Sequence, residues 1–234
     1  MLGGFVAPGQ IVFDCGANLG LYCRFLGGVL GAGRIVAFEP EPTNLPFLER
    51  NLRLGGLGEK VAVLPIALSD EDGSAEFEVD DKQSTSGTLA RVSGGKAAEG
   101  RRNLGLAPLV RSVEVRRIDS LLASGVVPEP DVIKVDVEGA EAMLLRGAEA
   151  LLASRAPDLV VELHGEQVSR EVLSLLRAHG YSMIAEVSPT VDPSGWSRLE
   201  AGAETLIQHR YDVRFIAASR SPVRVARVEE ALRT

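Results

Sequence analysis

The stretch Ile11-Val12-Phe13-Asp14-Cys15-Gly16-Ala17-Asn18-Leu19-Gly20 constrains this chain more than any other. A run rich in β-branched residues ends in an acid, and two glycines and an asparagine follow. Apolar residues then resume at Leu21, Tyr22, Phe25 and Leu26. That succession reads as a buried strand, a tight turn and a helix. In an open parallel sheet such a turn lies at the carboxyl end of its strand, where α/β proteins bind ligands.

The pattern repeats downstream. Arg34 to Pro40 reads as a second buried strand ending in Glu39, and Thr43 to Leu54 as a helix with Leu45, Leu48 and Leu52 on one face, stopped by Gly55-Gly56. Val61 to Leu68 reads as a third strand. Such alternation implies a parallel sheet. The rhythm then lapses. Ala75 to Val79 and Val110 to Val115 alternate with period two, as exposed or edge strands do. The polar, small-residue stretch 81–108 reads as a loop or lid. Ile118 to Leu122 forms a short helix in this reading. From Asp131 the alternation returns: Val132 to Asp136 is a fourth strand, and Ala140 to Ala153 the strongest helix signal, stopped by Pro157. Leu159 to His164 is a fifth strand, Ser169 caps a helix running to His179, and Gly180 stops it. Tyr181 to Val187 and Val213 to Ala217 supply the last strands, with 188–209 as a second loop or lid. The whole chain, 1–234, reads as one domain.

Composition excludes several classes. A net charge of -7 argues against a nucleic-acid partner, since no basic face is present to release counterions. The one local bias, Arg111, Arg116 and Arg117, reads as a solvated strand edge. No apolar run reaches the length of about 18 residues that a membrane span needs, and no signal-peptide pattern opens the chain. Cys15 and Cys23 have neither disulfide nor metal spacing and read as small buried residues of a reducing compartment. A cytoplasmic protein is expected.

The first turn selects among nucleotide ligands. A dinucleotide fingerprint places a glycine where the backbone approaches the pyrophosphate; Asn18 stands there. Asp14, read as an anion at the mouth of the turn, would repel a pyrophosphate yet suit an ammonium or sulfonium ligand. Glu39, about 20 residues on, is placed to accept hydrogen bonds from two ribose hydroxyls. These features favour S-adenosylmethionine. A nicotinamide cofactor and an oxidoreductase remain the alternative, because Glu39 suits both.

Blocks along the chain resemble a known family, the FkbM-type S-adenosylmethionine-dependent methyltransferases. They are Val12 to Gly20, Ala37 to Asn44, Ala67 to Asp70, Ile118 to Leu121, Ile133 to Glu141, Leu145 to Ala148, Pro157 to Glu162 and Gly180-Tyr181. They keep their order over about residues 10 to 182. The resemblance implies an α/β, Rossmann-like class I methyltransferase fold: a mostly parallel seven-stranded sheet with an antiparallel last strand and helices on both faces. It also implies O-methylation of a sugar or secondary metabolite. By position it puts Asp14, Gly16, Ala17, Asn18 and Gly20 around the methionine part of the cofactor, Glu39 and Pro40 at the ribose, and Ser69 beside the adenine.

The carboxyl ends of the fourth and fifth strands face the methyl group in such a fold. They nominate Asp136, Glu138, Glu162 and His164 for catalysis, with Asp136 first for contact near the methyl group of the cofactor. Asp136 and Glu138 as helix-capping carboxylates are the bland alternative. Lys134 is expected in a structural ion pair. Some sugar O-methyltransferases of this fold use magnesium through clustered carboxylates, and Asp136, Glu162 and His164 could converge in that way, but no adjacent acid pair marks a hard-cation site, so no metal is expected. The partner is a small-molecule acceptor. The short segment before the first strand, where family members carry a longer one, raises a homodimer whose second subunit supplies a lid, and a catalytically inactive binding module.

Overall fold

The computed structural model describes residues 2–79, 87–90, 103–107, 109–187, 196–198 and 213–233. Among these the strands are β1 (Ile11–Cys15), β2 (Arg34–Phe38), β3 (Val61–Leu64), β4 (Ala67–Leu68), β5 (Gly73–Val79), β6 (Gly87–Leu89), β7 (Leu109–Arg116), β8 (Val132–Val135), β9 (Asp158–Glu162), β10 (Ser182–Val187), β11 (Trp196–Arg198) and β12 (Val213–Ser219). The helices are α1 (Leu2–Phe5), α2 (Leu21–Arg24, continued as a π-helical turn to Val29), α3 (Leu45–Leu54), α4 (Ile118–Ala123), α5 (Glu141–Arg146), α6 (Glu149–Ser154), α7 (Glu166–Ala178) and α8 (Pro222–Arg233).

The main sheet runs β11-β10-β12-β9-β8-β1-β2-β3. The pairings β9-β8, β8-β1, β1-β2 and β2-β3 are parallel. The last strand, β12, is antiparallel to β9 and β10, between which it lies. Without the three-residue edge strand β11, this is the expected seven-stranded, mostly parallel sheet. β1 lies between β2 and β8, so its carboxyl end is flanked by both, the arrangement that opens a ligand crevice.

Strand alternation assigns the two faces. Phe13 and Cys15 point into one core with Phe38, Ile133, Leu145 and Val161, where the Phe13 and Phe38 rings meet edge to face with centroids 5.3 Å apart. Val12 points into the opposite core with Ile35, Leu48, Val160 and Ala217.

Four sequence expectations need correction. Val61 to Leu68 is not one strand: Pro65 has no N–H to donate, so β3 ends at Leu64 and β4 turns into a second sheet. That sheet, β4-β7-β5-β6, explains the period-two segments. β5 pairs antiparallel with β7 over its whole length, Gly73–Val79 against Leu109 to Val115, and β6 takes Gly87 to Leu89 out of the expected loop. Residues 81–86, 91–102 and 108 of that loop and most of 188–209 lie outside the described residues. The helix expected over 140–153 breaks into α5 and α6 at Gly147, which packs so closely that a Cβ there would lie 1.9 Å from the Ser69 carbonyl oxygen. Asp119 then caps α6, its carboxylate accepting from the Ala150 and Leu151 amides at 3.0 Å each. Finally, Ser169 is no cap. α7 starts at Glu166, and the Ser169 hydroxyl donates back to the Gly165 carbonyl at 2.7 Å. Arg116 and Arg117 pair with Asp72 and Asp119, whereas Arg111, read as part of the same solvated edge, turns inward to the buried Glu41.

Candidate active site

The turn after β1 is built on backbone. Gly16 (φ 77°), Asn18 (φ 49°) and Gly20 (φ 83°) are all left-handed, and the Gly16 and Ala17 amides both donate to the Phe38 carbonyl at 3.0 Å. The turn is thereby pinned to the end of β2. A Cβ on Gly16 would lie 1.8 Å from the Asp136 carbonyl oxygen, so only glycine lets β1 and β8 close together here. Asn18 tolerates its conformation as asparagine commonly does.

Glu39 completes the corner. It is buried, and its carboxylate accepts from the Asn18 amide at 2.8 Å, the Glu41 amide at 2.9 Å and the Asn44 side chain at 3.2 Å. Burial pushes its pKa up from the usual carboxylate value, and those donors oppose the shift. Beside it opens a cavity walled by Gly16 and Asn18, by Glu39 and Pro40, by Ile66, Ala67 and Leu68, by Phe77, Gly87 and Leu89 of the small sheet, and by Asp136, Val137, Glu138 and Ala140. The small sheet is tied over it by Arg111, whose Nε lies 3.1 Å from Glu41 Oε1. Among the described lining residues three are carboxylates and none is Lys, Arg or His.

Asp14 is not at the mouth. It is fully buried in β1 and lies opposite Lys134 of β8 in register, with Lys134 Nζ 3.2 Å from Asp14 Oδ1. Its other oxygen accepts from the Cys23 thiol at 3.0 Å. Lys134, itself buried, also reaches Asp136 Oδ2 at 3.5 Å and the Gly16 carbonyl at 3.1 Å, and stands 4.6 Å from the centre of the Tyr22 ring. Burial alone would lower the Lys134 pKa, but the charges of Asp14 and Asp136 raise it above its ordinary value. Lys134 is thus in the expected ion pair, and it cancels the charge credited to Asp14. Ala17 and Gly20 face the core rather than the cavity: Ala17 is buried, and a Cβ on Gly20 would meet Leu48 at 2.6 Å. Ser69 is buried below Leu68, its hydroxyl donating to Asp70 at 3.2 Å. Of the expected cofactor contacts, Gly16, Asn18, Glu39, Pro40 and Asp136 line the cavity; Asp14, Ala17, Gly20 and Ser69 support it from behind.

The nominated acids and the histidine do come together. His164 Nδ1 lies 2.8 Å from Glu141 Oε1, a fully buried acid at the start of α5 that also accepts from the Gly139 amide. Nε2 then faces Glu138 at 3.5 Å and Asp136 and Glu162 at 3.9 Å each. Burial would lower the His164 pKa; the hydrogen bond and charge of Glu141, with Glu138 and Asp136, outweigh it and hold it at about 9. Asp136, Glu138 and His164 each present an atom within 4.8 Å of the others, a set that could hold a divalent cation, with Glu138 rather than Glu162 as the third member beside Asp136 and His164. Glu141 was missed as a site residue, although it stands in the same block, because nothing in sequence placed it against a histidine 23 residues on.

A second cavity opens on the other face of the sheet and shares Asp136 with the first. Its walls include Leu2, Tyr22, Phe25, Val160, Glu162 and Phe215.

Residues 14–183 match the family described as "Methyltransferase FkbM domain". The chain belongs to the FkbM methyltransferase family. Within the family, this chain is 32% identical over 203 residues to the 31-O-demethyl-FK506 methyltransferase FkbM of Streptomyces tacrolimicus, covering 78% of this chain and 76% of that protein. It is 30% identical over 170 residues to the hexuronic acid methyltransferase AglP of Haloferax volcanii, covering 71% and 61%. Its fold is like that of a solved methyltransferase FkbM from Methylobacillus flagellatus, with TM-score 0.54 and 19% identity over 89% of this chain; the match spans 43% of that longer chain. It is also like a precorrin-6y C5,15-methyltransferase from Geobacter metallireducens, with TM-score 0.51 and 14% identity over 94% and 84%. Among the described residues of this FkbM-family chain, no helix is long and apolar enough to cross a membrane.

Proposed function

We propose that the chain transfers a methyl group from S-adenosylmethionine to a hydroxyl oxygen of a small acceptor. The observation that carries this reading is the charge of the first cavity: Glu39, Asp136 and Glu138 line it, and no Lys, Arg or His does so among the described residues. Lys134 and His164 offset part of the charge of Asp136 and Glu138 from outside the lining, but the charged side chains that meet a ligand there are carboxylates, which suit a sulfonium and an ammonium group better than a pyrophosphate and so argue against the nicotinamide alternative. Glu39, Asp136 and Glu138 thus take the part expected of Asp14.

The residues present fit the cofactor. Glu39 would accept from one ribose hydroxyl, since its carboxylate has about four acceptor positions and protein donors take three. Ile66 to Leu68 on one side and Phe77 and Leu89 on the other offer an apolar slot for the adenine. When bound, the cofactor supplies an electrophilic methyl carbon on a good leaving group, so the protein mainly aligns donor and acceptor. His164, with a pKa of about 9, carries a proton at neutral pH and is no free base there. Asp136, at the seam of both cavities, takes the acceptor proton in this account. Glu141 orients His164, and the imidazolium steadies the cluster of acids. The name of the Streptomyces relative places its own methyl group on oxygen, which supports a hydroxyl acceptor here.

Thermal unfolding tests the reading. S-adenosylhomocysteine at about 100 times its Kd should add about 2.7 kcal/mol of stability, and NAD should add none. Stabilisation by NAD alone would overturn it.

A further inference from the structure

Arg111 stands where the pattern of its strand calls for an apolar residue. Leu109, Val113 and Val115 share its face of β7 by alternation, and the two valines are buried there with Phe77, Val79 and Leu89. Phe77 lies directly opposite Arg111 in the register of β5 on β7, so the two side chains leave the same face of the small sheet. Phe77 and Leu89 are part of the wall of the first cavity. A guanidinium on such a face needs a partner, and Glu41 of the segment after β2 supplies it.

Glu41 needs Arg111 just as much. Its side chain is 1% exposed. Its Oε1 accepts from the Thr43 amide at 3.1 Å and the Thr43 hydroxyl at 2.7 Å, and Oε2 has no hydrogen-bond partner among the described residues. Arg111, with Nε 3.1 Å from Oε1, is thus its one counter-charge among the described residues, and a buried carboxylate without one is costly. The Glu41 amide in turn donates to Glu39 Oε1 at 2.9 Å. Pro40 and Pro42 fix the backbone on either side, so a shift of Glu41 is passed to Glu39.

We propose that Arg111 is a positioning residue for the cofactor: paired with Glu41, it clasps the wall that carries Phe77 to the corner that carries Glu39, and so sets how tightly the adenosine end of the cofactor is held. The inference rests on the methyl-transfer reading above and deepens it. The clasp touches neither the ribose nor the adenine. It fixes the spacing between the apolar slot and the acid that serve them, and a slot free to widen loses both contacts together.

Titration calorimetry with S-adenosylhomocysteine and with 5′-methylthioadenosine, which keeps adenine and ribose but has no amino acid part, tests this on the full chain, and surface plasmon resonance gives the release rates. Arg111→Met removes the charge and keeps the stem. It should weaken both ligands by the same factor, about tenfold or more, the scale of one contact to a charged group, chiefly through faster release. Arg111→Lys should recover most of the loss, because the contact is made by Nε and a lysine ammonium sits only one bond farther along the stem. In a Glu41→Gln background Arg111→Met should add little. Arg116→Met, on the same strand but paired with Asp72, should leave both affinities unchanged. Unchanged affinities in Arg111→Met, or a loss in Arg116→Met as large as in Arg111→Met, would overturn the clasp, the second result because it would trace the effect to the stability of the small sheet. A loss for S-adenosylhomocysteine with none for 5′-methylthioadenosine would overturn its placement at the adenosine end. Should Arg111→Met not fold, Glu41→Gln carries the test, with weakened binding expected and unchanged binding contrary. A wild-type chain that does not bind S-adenosylhomocysteine is a different result, and it defeats the methyl-transfer reading and the clasp with it.

Discussion

Replacing Lys134 by methionine removes the one cation that faces Asp14 and keeps most of the side chain's volume. Asp14 is fully buried and its remaining described partner is the Cys23 thiol, a weak donor. Breaking a buried pair by removing one member costs about 3–5 kcal/mol, because the other charge is left without compensation. For a chain of this size that corresponds to a fall in Tm of about 6–20 °C, at about 2–4 °C per kcal/mol. Urea unfolding of Lys134→Met, Asp14→Asn and the double variant supplies the cycle. The double variant should recover much of the loss, giving a coupling of at least about 1–2 kcal/mol. A Lys134→Met cost below about 1 kcal/mol, or additive single costs, would refute the pairing argument. The same double variant should keep its affinity for S-adenosylhomocysteine, since neither Asp14 nor Lys134 lines the first cavity.

Other consequences follow from the same geometry. The His164 pKa of about 9 lies above its ordinary 6.5, so its stabilising contribution is fully present below pH 6.5 and is lost as pH rises through about 9. Linkage puts that contribution at up to about 3 kcal/mol; urea midpoints between those pH values should fall in the wild type and stay flatter in His164→Gln. Gly16→Ala, with its Cβ 1.8 Å from a backbone oxygen, should cost more than about 3 kcal/mol. Gly56→Ala, also at positive φ but with nothing within 4 Å, should cost only about 1–2 kcal/mol, which separates clash from conformation. Glu39→Ala should weaken S-adenosylhomocysteine about 10- to 100-fold in a binding titration, the value of a hydrogen bond to a charged group.

The sequence carried the frame of this molecule because its strands are apolar runs closed by acids and glycines. Local pattern sufficed for β1, β2, β8 and β9, for the turn, and for Glu39 and Asp136. Asp14 was misplaced for a physical reason: the charge that neutralises it sits 120 residues away, and only the register of β1 on β8 brings Lys134 opposite. The lysine was recognised as half of an ion pair, but pattern could not name the other half. The small sheet was read as loose edge strands because its four strands come from separate segments of the chain. Gly147 broke an otherwise continuous helical pattern through a contact with Ser69 that no periodicity encodes. The second cavity was not legible, since α1, α2 and β12 converge on it from opposite ends of the chain.

The central claim is that the acid-walled cavity takes a sulfonium cofactor and not a dinucleotide. Isothermal titration of the protein with S-adenosylhomocysteine and, separately, with NADH tests it most directly. The account predicts one saturable site for S-adenosylhomocysteine, lost or much weakened in Glu39→Ala, and no heat from NADH. Saturable NADH binding with no response to S-adenosylhomocysteine would contradict it.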